Sequence, residues 1–212
     1  MNLKNTALGI ELGSTRIKAV LLNGERQIVK TGDCTWKSKL EHGVWTYPMD
    51  AVQAGLQTAL RNLGELPGEI SAMGISGMMH GYLAFDKDWN LLAPFRTWQN
   101  TMTGEAADRL TDAFGFNIPQ RWSVAHLYQA ILNGEAHVRS IAHITTLAGY
   151  VHYLLTGENA VGIGEASGMF PIDSRTLTYD AAMLDKFDML TSEYGFDWTI
   201  RSVLPAVLTA GQ

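Results

Sequence analysis

The sequence predicts an α/β fold in which a mixed β-sheet, beginning with a three-strand antiparallel meander, is flanked by helices. Three observations lead to this fold class. Apolar strand-like runs follow one another within residues 7–36, an amphipathic pattern at 48–63 leads into a further strand at 70–76, and helical spacing dominates beyond residue 100. Strands that are followed by a helix, another strand and then more helices indicate a sheet with helices packed on it.

The first strands are separated by turn signals. The apolar run at 7–12 stops at a turn formed by Gly13-Ser14-Thr15-Arg16, and a second strand is predicted at 17–22. The dipeptide Asn23-Gly24 that follows is among the strongest short hairpin signals, and a third strand is predicted at 27–36. Because short turns connect antiparallel neighbours, these runs form the meander.

A helix of about four turns follows, because Pro48 suits a first helical turn and the apolar residues after it recur every three or four positions. Those residues are Met49, Val52, Leu56, Leu60 and Leu63. The predicted strand at 70–76 ends in a loop bracketed by glycines, Gly77 to Gly81, and a strand at 82–85 and a polar turn at 86–90 come next.

The second half of the chain is expected to be mainly helical. Helices are predicted at 103–114, 121–133, 144–155 and 180–194, and the third of these is closed by Thr156-Gly157. A glycine-rich stretch from Val161 to Phe170 separates the last two helices, and the sequence contains no internal repeat.

Composition narrows the class of protein. The 212 residues carry a formal net charge of −5, which argues against non-specific nucleic-acid binding. The single cysteine, Cys34, lies in a strand pattern and is interpreted as a structural thiol in a reducing compartment. The N-terminus lacks a leader pattern, and no apolar run reaches the roughly 18 residues of a membrane span. We therefore expect a cytoplasmic protein without a membrane partner.

The first turn carries the most chemical information. Strand alternation places Glu11 on the face opposite its apolar neighbours, and burying an unpaired carboxylate costs several kcal/mol, so Glu11 is expected to face a cleft with water, a metal or a cation. Gly13 permits a positive φ, and the N–H groups of Gly13, Ser14 and Thr15 suit an anion-binding nest. Spacing alone leaves a plain β-hairpin with a partly exposed Glu11 as an equal alternative.

Four segments resemble a known family. The run GIELGSTRIKAVLL at 9–22 resembles the first phosphate loop of the sugar-kinase, hsp70 and actin superfamily. GISGMMHG at 74–81 resembles the GISGQMHG loop of xylulose kinases, and FRTWQN at 95–100 stands where that family has a tryptophan-bearing LWND-type segment. Residues 147–173 resemble the family's run from LTGe to sdAsgtxlfD. The chain thus resembles the N-terminal domain of an FGGY-family carbohydrate kinase.

This resemblance implies that residues 1–212 form one N-terminal sugar-binding domain, which is ribonuclease H-like and carries a helical insertion. It also implies that the family's C-terminal nucleotide-binding domain is absent from this sequence. It implies ATP- and Mg²⁺-dependent phosphorylation of a ketose such as xylulose by the full-length enzyme. Because the family's catalytic base is an Asp in the second domain, no catalytic residue is assigned in this chain. We expect the isolated chain to be inactive, to bind neither ATP nor Mg²⁺ tightly, and to pair with a C-terminal domain or a second copy through an exposed apolar face.

Phosphate and Mg²⁺ contacts are implied in the first turn. Gly13, Ser14 and Thr15 would border the phosphates. Glu11, which stands at the family's usual Asp, would reach the metal through water, and no cluster of protein side chains would bind the metal directly. Lys18 matches a lysine that is common in the motif, although an ordinary surface lysine is the alternative interpretation.

Sugar contacts are implied in the two later loops, at Met79, His80, Arg96, Trp98 and Asn100. His80 would bond a hydroxyl, Trp98 would stack on the C–H face unless it is ordinary core, and Asn100, at a usual Asp, would reach a hydroxyl. Ribulose, another ketose or a polyol remain alternative substrates. A non-catalytic sugar-binding or regulatory module, or a relic with a structural role, remains an alternative function.

Overall fold

The structure is a computed structural model that describes residues 5–66 and 69–209. These residues form two compact units. The first unit lies within Met1–Leu40 and Tyr47–Met78, and the second lies within Glu41–Thr46 and Met79–Gln212. No helix among the described residues is long and apolar enough to cross a membrane.

The first elements along the chain are β1 (Ala7–Leu12), β2 (Arg16–Leu22), β3 (Ile28–Thr35), β4 (Lys39–Glu41), β5 (Val44–Thr46), α1 (Met49–Leu63) and β6 (Ala72–Gly77). They are followed by β7 (Gly81–Phe85), β8 (Arg96–Thr97), α2 (Gly104–Phe114), α3 (Ser123–Leu132), β9 (His143–Thr145), α4 (Leu147–Thr156), β10 (Ala160–Gly162) and α5 (Ile163–Ala166). The last are β11 (Ile172–Asp173), β12 (Thr178–Tyr179), α6 (Ala181–Thr191), α7 (Ile200–Val203) and β13 (Ala206–Leu208). Short 3-10 helices span Ala136–Ser140 and Ser192–Tyr194.

The first unit contains a four-stranded mixed sheet of order β3-β2-β1-β6. The three antiparallel strands of the predicted meander are confirmed, and β6 pairs parallel with β1. One face of β1 and β2 is buried and the other is open, as the alternation of apolar residues requires. Glu11 therefore lies on the open face, where it was expected.

Helix α1 packs unusually close to β3. A Cβ atom at Gly32 would lie 2.2 Å from the carbonyl oxygen of Ala59, and one at Gly55 would lie 2.7 Å from Cδ1 of Ile17. Glycine at these positions lets the helix backbone rest directly on the strand. The fully buried stripe is consequently Val52, Gly55, Ala59 and Leu63, and the larger Leu56 and Leu60 are only half-buried at its edge.

The second unit is built around a three-stranded antiparallel sheet of order β8-β7-β9, whose central strand β7 is buried along its whole length. Its largest apolar core joins this strand to the helices that follow, and α3 is buried at nine of its ten positions. The glycine-rich stretch forms β10 and α5, and β10 pairs parallel with β13.

One predicted helix was wrong at its start. Residues 143–145 are strand β9, paired with β7, and α4 begins only at Leu147. The β-branched Ile144 and Thr145 suit a strand, and the hydroxyl of Thr146 caps the helix by accepting a hydrogen bond from the N–H of Gly149 at 3.0 Å. The helix ends at Gly157, as predicted, because this residue adopts the left-handed conformation.

Candidate functional site

The first turn joins β1 to β2 and is closed by a hydrogen bond of 3.0 Å from the N–H of Gly13 to the carbonyl oxygen of Arg16. Gly13 does not use the positive φ that glycine permits. Its lack of a side chain instead relieves a tight contact, since a Cβ atom would lie 3.0 Å from the Arg16 oxygen and 3.4 Å from Oε1 of Glu11.

Two aromatic residues that sequence reasoning missed hold the carbonyl groups of this turn. Nε1 of Trp36 donates to the Gly13 carbonyl at 2.7 Å, and the Tyr47 hydroxyl donates to the Ser14 carbonyl at 2.6 Å. The backbone N–H of Trp36 donates to the Thr15 carbonyl at 3.1 Å. Both side chains are buried, and their ring centroids lie 4.3 Å apart. Three successive carbonyl oxygens are thereby fixed.

Fixing the carbonyls also orients the N–H groups of the turn. In a trans peptide the N–H points opposite the preceding C=O, so the N–H groups of Ser14 and Thr15 point away from Trp36 and Tyr47. Within residues 5–66 and 69–209, no hydrogen bond uses either of these two N–H groups. They are therefore available to an anion, whereas the N–H of Gly13 is used inside the turn.

Glu11 and Lys18 face each other across β1 and β2 on the open face of the sheet. Nζ of Lys18 lies 3.0 Å from Oε2 of Glu11, and the two side chains are 46% and 52% exposed. They line a groove of about 460 Å³ whose floor includes the paired residues Gly9 and Gly74. An ion pair this exposed contributes little stability, so both groups can exchange partners.

This arrangement fits a hydrated Mg²⁺ ion rather than a cage of protein ligands. Among the described residues, no three His, Cys, Asp or Glu side chains are grouped so as to hold a metal. The open carboxylate of Glu11 supplies one oxygen donor beside the turn, and Mg²⁺ usually keeps several waters and takes one or two carboxylates.

Two residues of the predicted sugar site flank the paired end of the β7–β8 ladder. Gly81 pairs with Thr97 and Tyr82 pairs with Arg96, so His80 and Trp98 are the next residues outward on the two chains. Gly81 has φ +134°, and a Cβ atom there would lie 2.6 Å from the Arg96 carbonyl oxygen. Only glycine permits this approach of the strands.

Gly168, in the glycine-rich stretch, supports His80 and Met79. A Cβ atom at Gly168 would lie 2.8 Å from Nδ1 of His80 and 2.8 Å from the Met79 carbonyl oxygen. Burial and the charge of Arg121 lower the pKa of His80, and the backbone of Gly168 offsets part of that decrease. The imidazole is thus neutral near pH 7. Its Nδ1 is buried without a hydrogen-bond partner among the described residues, which leaves Nε2 as the ring nitrogen for a ligand.

Trp98 is 47% exposed, which leaves part of its indole face open to a ligand. Asn100 is buried, and its side chain is occupied by the backbone. Its Oδ1 accepts from the N–H of Trp45 at 2.9 Å, and its Nδ2 donates to the carbonyl oxygens of Trp45 and Thr97 at 2.8 and 2.9 Å. This geometry favours a structural role for Asn100 over the expected sugar contact.

Arg96 is also buried rather than open to a ligand. Its guanidinium forms an ion pair with Glu135 and lies 5.4 Å from the centre of the Tyr82 ring. Burial opposes ionisation of Glu135, but the hydrogen bond and charge of Arg96 hold the pKa of Glu135 below its usual value. Glu135 also lies 3.5 Å from Nδ1 of His137. The geometry favours a role in fixing β8 over the expected contact with sugar or phosphate.

Comparison with known proteins identifies the family of this chain. The sequence profile of the N-terminal domain of the FGGY family of carbohydrate kinases matches residues 6–212. The chain is 26% identical over 201 residues to a xylulose kinase of Klebsiella pneumoniae, covering 86% of this chain and 40% of that protein. It is 23% identical to a glycerol kinase of Thermococcus gammatolerans, covering 85% and 40% of the two chains.

Solved structures show the same fold. A gluconate kinase of Lactobacillus acidophilus matches with a TM-score of 0.80 at 18% identity, covering 96% of this chain and 42% of that one. The chain spans about two-fifths of the length of the curated relatives it matches. Because the family profile covers nearly the whole sequence, this chain belongs to the FGGY family of carbohydrate kinases and matches the N-terminal domain of that family.

Proposed function

We propose that this chain is the sugar-binding lobe of an ATP-dependent kinase that phosphorylates a ketose such as xylulose. The observation that carries the proposal is that His80 and Trp98 directly flank the paired end of the β7–β8 ladder. A neutral imidazole and a partly exposed indole at one end of a ladder suit a polyhydroxylated ligand, because a ring nitrogen bonds a hydroxyl while the indole covers C–H groups. The likeness to a xylulose kinase supports a ketose.

Within this site, each side chain has a separate task. Nδ1 of His80 is buried against Gly168, so Nε2 is the ring nitrogen that orients a sugar hydroxyl, through one hydrogen bond. Met79 closes the apolar side, and Trp98 excludes water from the C–H face. Arg96 and Asn100 bind no ligand in this scheme and instead hold β8 and the segment after it in place.

The turn after β1 would receive the phosphates of ATP. The N–H groups of Ser14 and Thr15 donate to phosphate oxygens, and Lys18 adds a positive charge that Glu11 now neutralises. Glu11 would hold the bound metal through water. Mg²⁺, when bound with ATP, spreads and neutralises the negative charge of the transferring phosphoryl group. Positioning and charge compensation are the main protein contributions to such a transfer.

The general base is expected outside these residues. By resemblance to the family, we expect it in a C-terminal nucleotide-binding domain, on the same polypeptide or on a separate chain, and this proposal requires that partner. We therefore expect residues 1–212 alone to give no measurable phosphorylation of D-xylulose with ATP and Mg²⁺ in a coupled ADP-release assay. A turnover of about one per second, typical of a complete enzyme, would contradict this expectation.

Sugar binding is the direct test. Isothermal titration of the 212-residue chain with D-xylulose is expected to show binding that His80→Ala weakens by about tenfold. D-Ribulose, glycerol and gluconate, titrated in parallel, define the substrate class. If a correctly folded chain binds none of these compounds, or if His80→Ala binds as well as the wild type, the proposed sugar site is refuted.

A further inference from the structure

We propose that Trp36 and Tyr47 are positioning residues for phosphate binding, because they fix the direction in which the first turn presents its N–H groups. This inference rests on the proposed phosphate site at Ser14 and Thr15. Neither aromatic side chain needs to touch a ligand in order to act in this way. They act through the carbonyl groups on the opposite side of the turn.

Each of the two side-chain hydrogen bonds holds the carbonyl of one peptide group in the turn. Nε1 of Trp36 holds the Gly13 carbonyl, whose peptide carries the N–H of Ser14, and the Tyr47 hydroxyl holds the Ser14 carbonyl, whose peptide carries the N–H of Thr15. Rotation of either peptide would turn its N–H inward and bring its carbonyl oxygen toward the ligand. An oxygen in that position repels a phosphate, so the two bonds protect the anion-binding direction of the turn.

The other hydrogen bonds of the turn do not hold these two peptides. The N–H of Gly13 bonds the Arg16 carbonyl and the N–H of Trp36 bonds the Thr15 carbonyl, so neither contacts the Gly13 or Ser14 carbonyl. Ser14 and Thr15 also lie outside the regular pairing of β1 with β2, which begins at Leu12 and Ile17. The clamp formed by Trp36 and Tyr47 is well packed, because the two residues are only 7% and 2% exposed and their rings lie 4.3 Å apart. A buried pair of donors therefore restrains two peptides that no strand pairing fixes.

The test uses substitutions that remove a donor and keep the ring. Tyr47→Phe deletes only the hydroxyl, and Trp36→Phe deletes the Nε1 donor but retains the backbone bond to Thr15. Tyr153→Phe and Trp122→Phe, the same changes in the second unit, are the matched controls. Inorganic tripolyphosphate with Mg²⁺ is the probe, titrated into ¹⁵N-labelled chain while the amide resonances of Ser14 and Thr15 are followed by NMR.

Wild type and controls are expected to show saturable shifts of the Ser14 and Thr15 amides. Each clamp variant should weaken the apparent affinity by about three- to tenfold, the equivalent of one net hydrogen bond, and the double variant should weaken it further. The melting temperature of Tyr47→Phe should stay close to that of Tyr153→Phe. This separates a positioning effect from general loss of stability.

Three results would overturn the inference. If both clamp variants bind tripolyphosphate with wild-type affinity, the carbonyl bonds do not position the turn. If affinity and melting temperature fall together in the clamp variants and equally in the controls, their role is structural only. If the wild-type Ser14 and Thr15 amides do not respond while the chain is folded, the phosphate site itself is wrong and the positioning role fails with it. In that case D-xylulose binding at His80 still tests the sugar-binding part of the proposed function.

Discussion

His80 and Trp98 stand one residue beyond Gly81 and Thr97, the last paired residues of β7 and β8. One end of this ladder thus carries two residues of the predicted sugar site that are 18 positions apart in the sequence (98 − 80). We predict that His80→Ala and Trp98→Ala each weaken D-xylulose binding by about tenfold, the equivalent of one lost contact. In a double-mutant cycle measured by calorimetry, the two changes should couple by about 0.5–3 kcal/mol. Strict additivity would show that the two residues do not act on one ligand.

Gly168 provides a second test of the sugar site. Gly168→Ala would place a Cβ atom 2.8 Å from Nδ1 of His80, so the imidazole must move. We expect ketose affinity to fall by about tenfold, as for loss of the imidazole contact itself. Gly164→Ala, nearby in the chain and with no atom within 4 Å of the added Cβ, is the matched control. Equal affinities of the two variants would show that Gly168 does not support His80.

Asn100 should be sensitive to an exchange of a single atom. Asn100→Asp replaces the Nδ2 donor by an oxygen that faces the carbonyl oxygens of Trp45 and Thr97. Because the site is buried, we expect a loss of about 2–4 kcal/mol in the free energy of unfolding, measured by urea denaturation. Gln53→Glu, an exposed change of the same kind on α1, should stay within about 0.5 kcal/mol. A small effect at Asn100 would mean that the Trp45 bonds carry little stability.

The close contact between α1 and β3 leads us to expect that replacing Gly32 strongly destabilises the fold. Gly32→Ala places a Cβ atom 2.2 Å from the Ala59 carbonyl oxygen and 2.4 Å from the Leu63 nitrogen, both backbone atoms that cannot rotate away. We expect a loss of about 3 kcal/mol or more in thermal or chemical denaturation. Gly74→Ala lies in the same sheet with nothing within 4 Å of the added Cβ and should be nearly neutral. Similar melting temperatures for the two variants would refute this packing argument.

The buried side chain of His126 should make the free energy of unfolding fall as the pH decreases. It is fully buried in α3, neither ring nitrogen has a hydrogen-bond partner among the described residues, and burial, aided by Arg96, lowers the pKa of His126 to about 3. An unfolded chain has a histidine pKa of about 6.5, so below that pH only the unfolded state gains the proton. The contribution of neutral His126 to the free energy of unfolding is therefore fully present above pH 6.5. It falls as the pH decreases toward 3, by up to about 1.4 kcal/mol per pH unit.

Denaturant titrations between pH 6.5 and pH 4 measure this slope. His126→Phe, which keeps a ring beside Tyr82, should flatten it, whereas His42→Asn, an exposed change, should leave it as in the wild type. If His126→Phe loses stability with the same slope, another group is responsible for the pH dependence.

Sequence patterns predicted the long elements and missed most of the short ones. Strands β1, β2 and β3 and helix α1 are long enough for their periodicity to show, whereas β8 and β12 have two residues each and no period to detect. Thr146 marks the true start of α4 by its capping hydroxyl, a signal that the apolar run around it obscured.

The candidate site was predictable where local motifs define it and not where distant partners do. His80 and Trp98 stand in recognisable segments, but Asn100 is bonded to Trp45, 55 residues away, and Arg96 to Glu135, 39 residues away. Trp36 and Tyr47 reach the first turn only through the fold of the first unit, so nothing in the local spacing of the turn points to them.

The clamped turn gives the chain a positive surface that does not titrate. The partial charges of the Ser14 and Thr15 amides belong to the backbone, and neither acid nor a substitution other than proline at these two positions removes them. The clamp is equally insensitive, because Trp36 carries no ionisable group and burial raises the pKa of Tyr47, which keeps its hydroxyl a donor further into the alkaline range. Attraction of an anion to this turn should therefore vary with the charge of the anion and of Glu11 and Lys18, while the contribution of the backbone stays constant across the pH range in which the unit is folded.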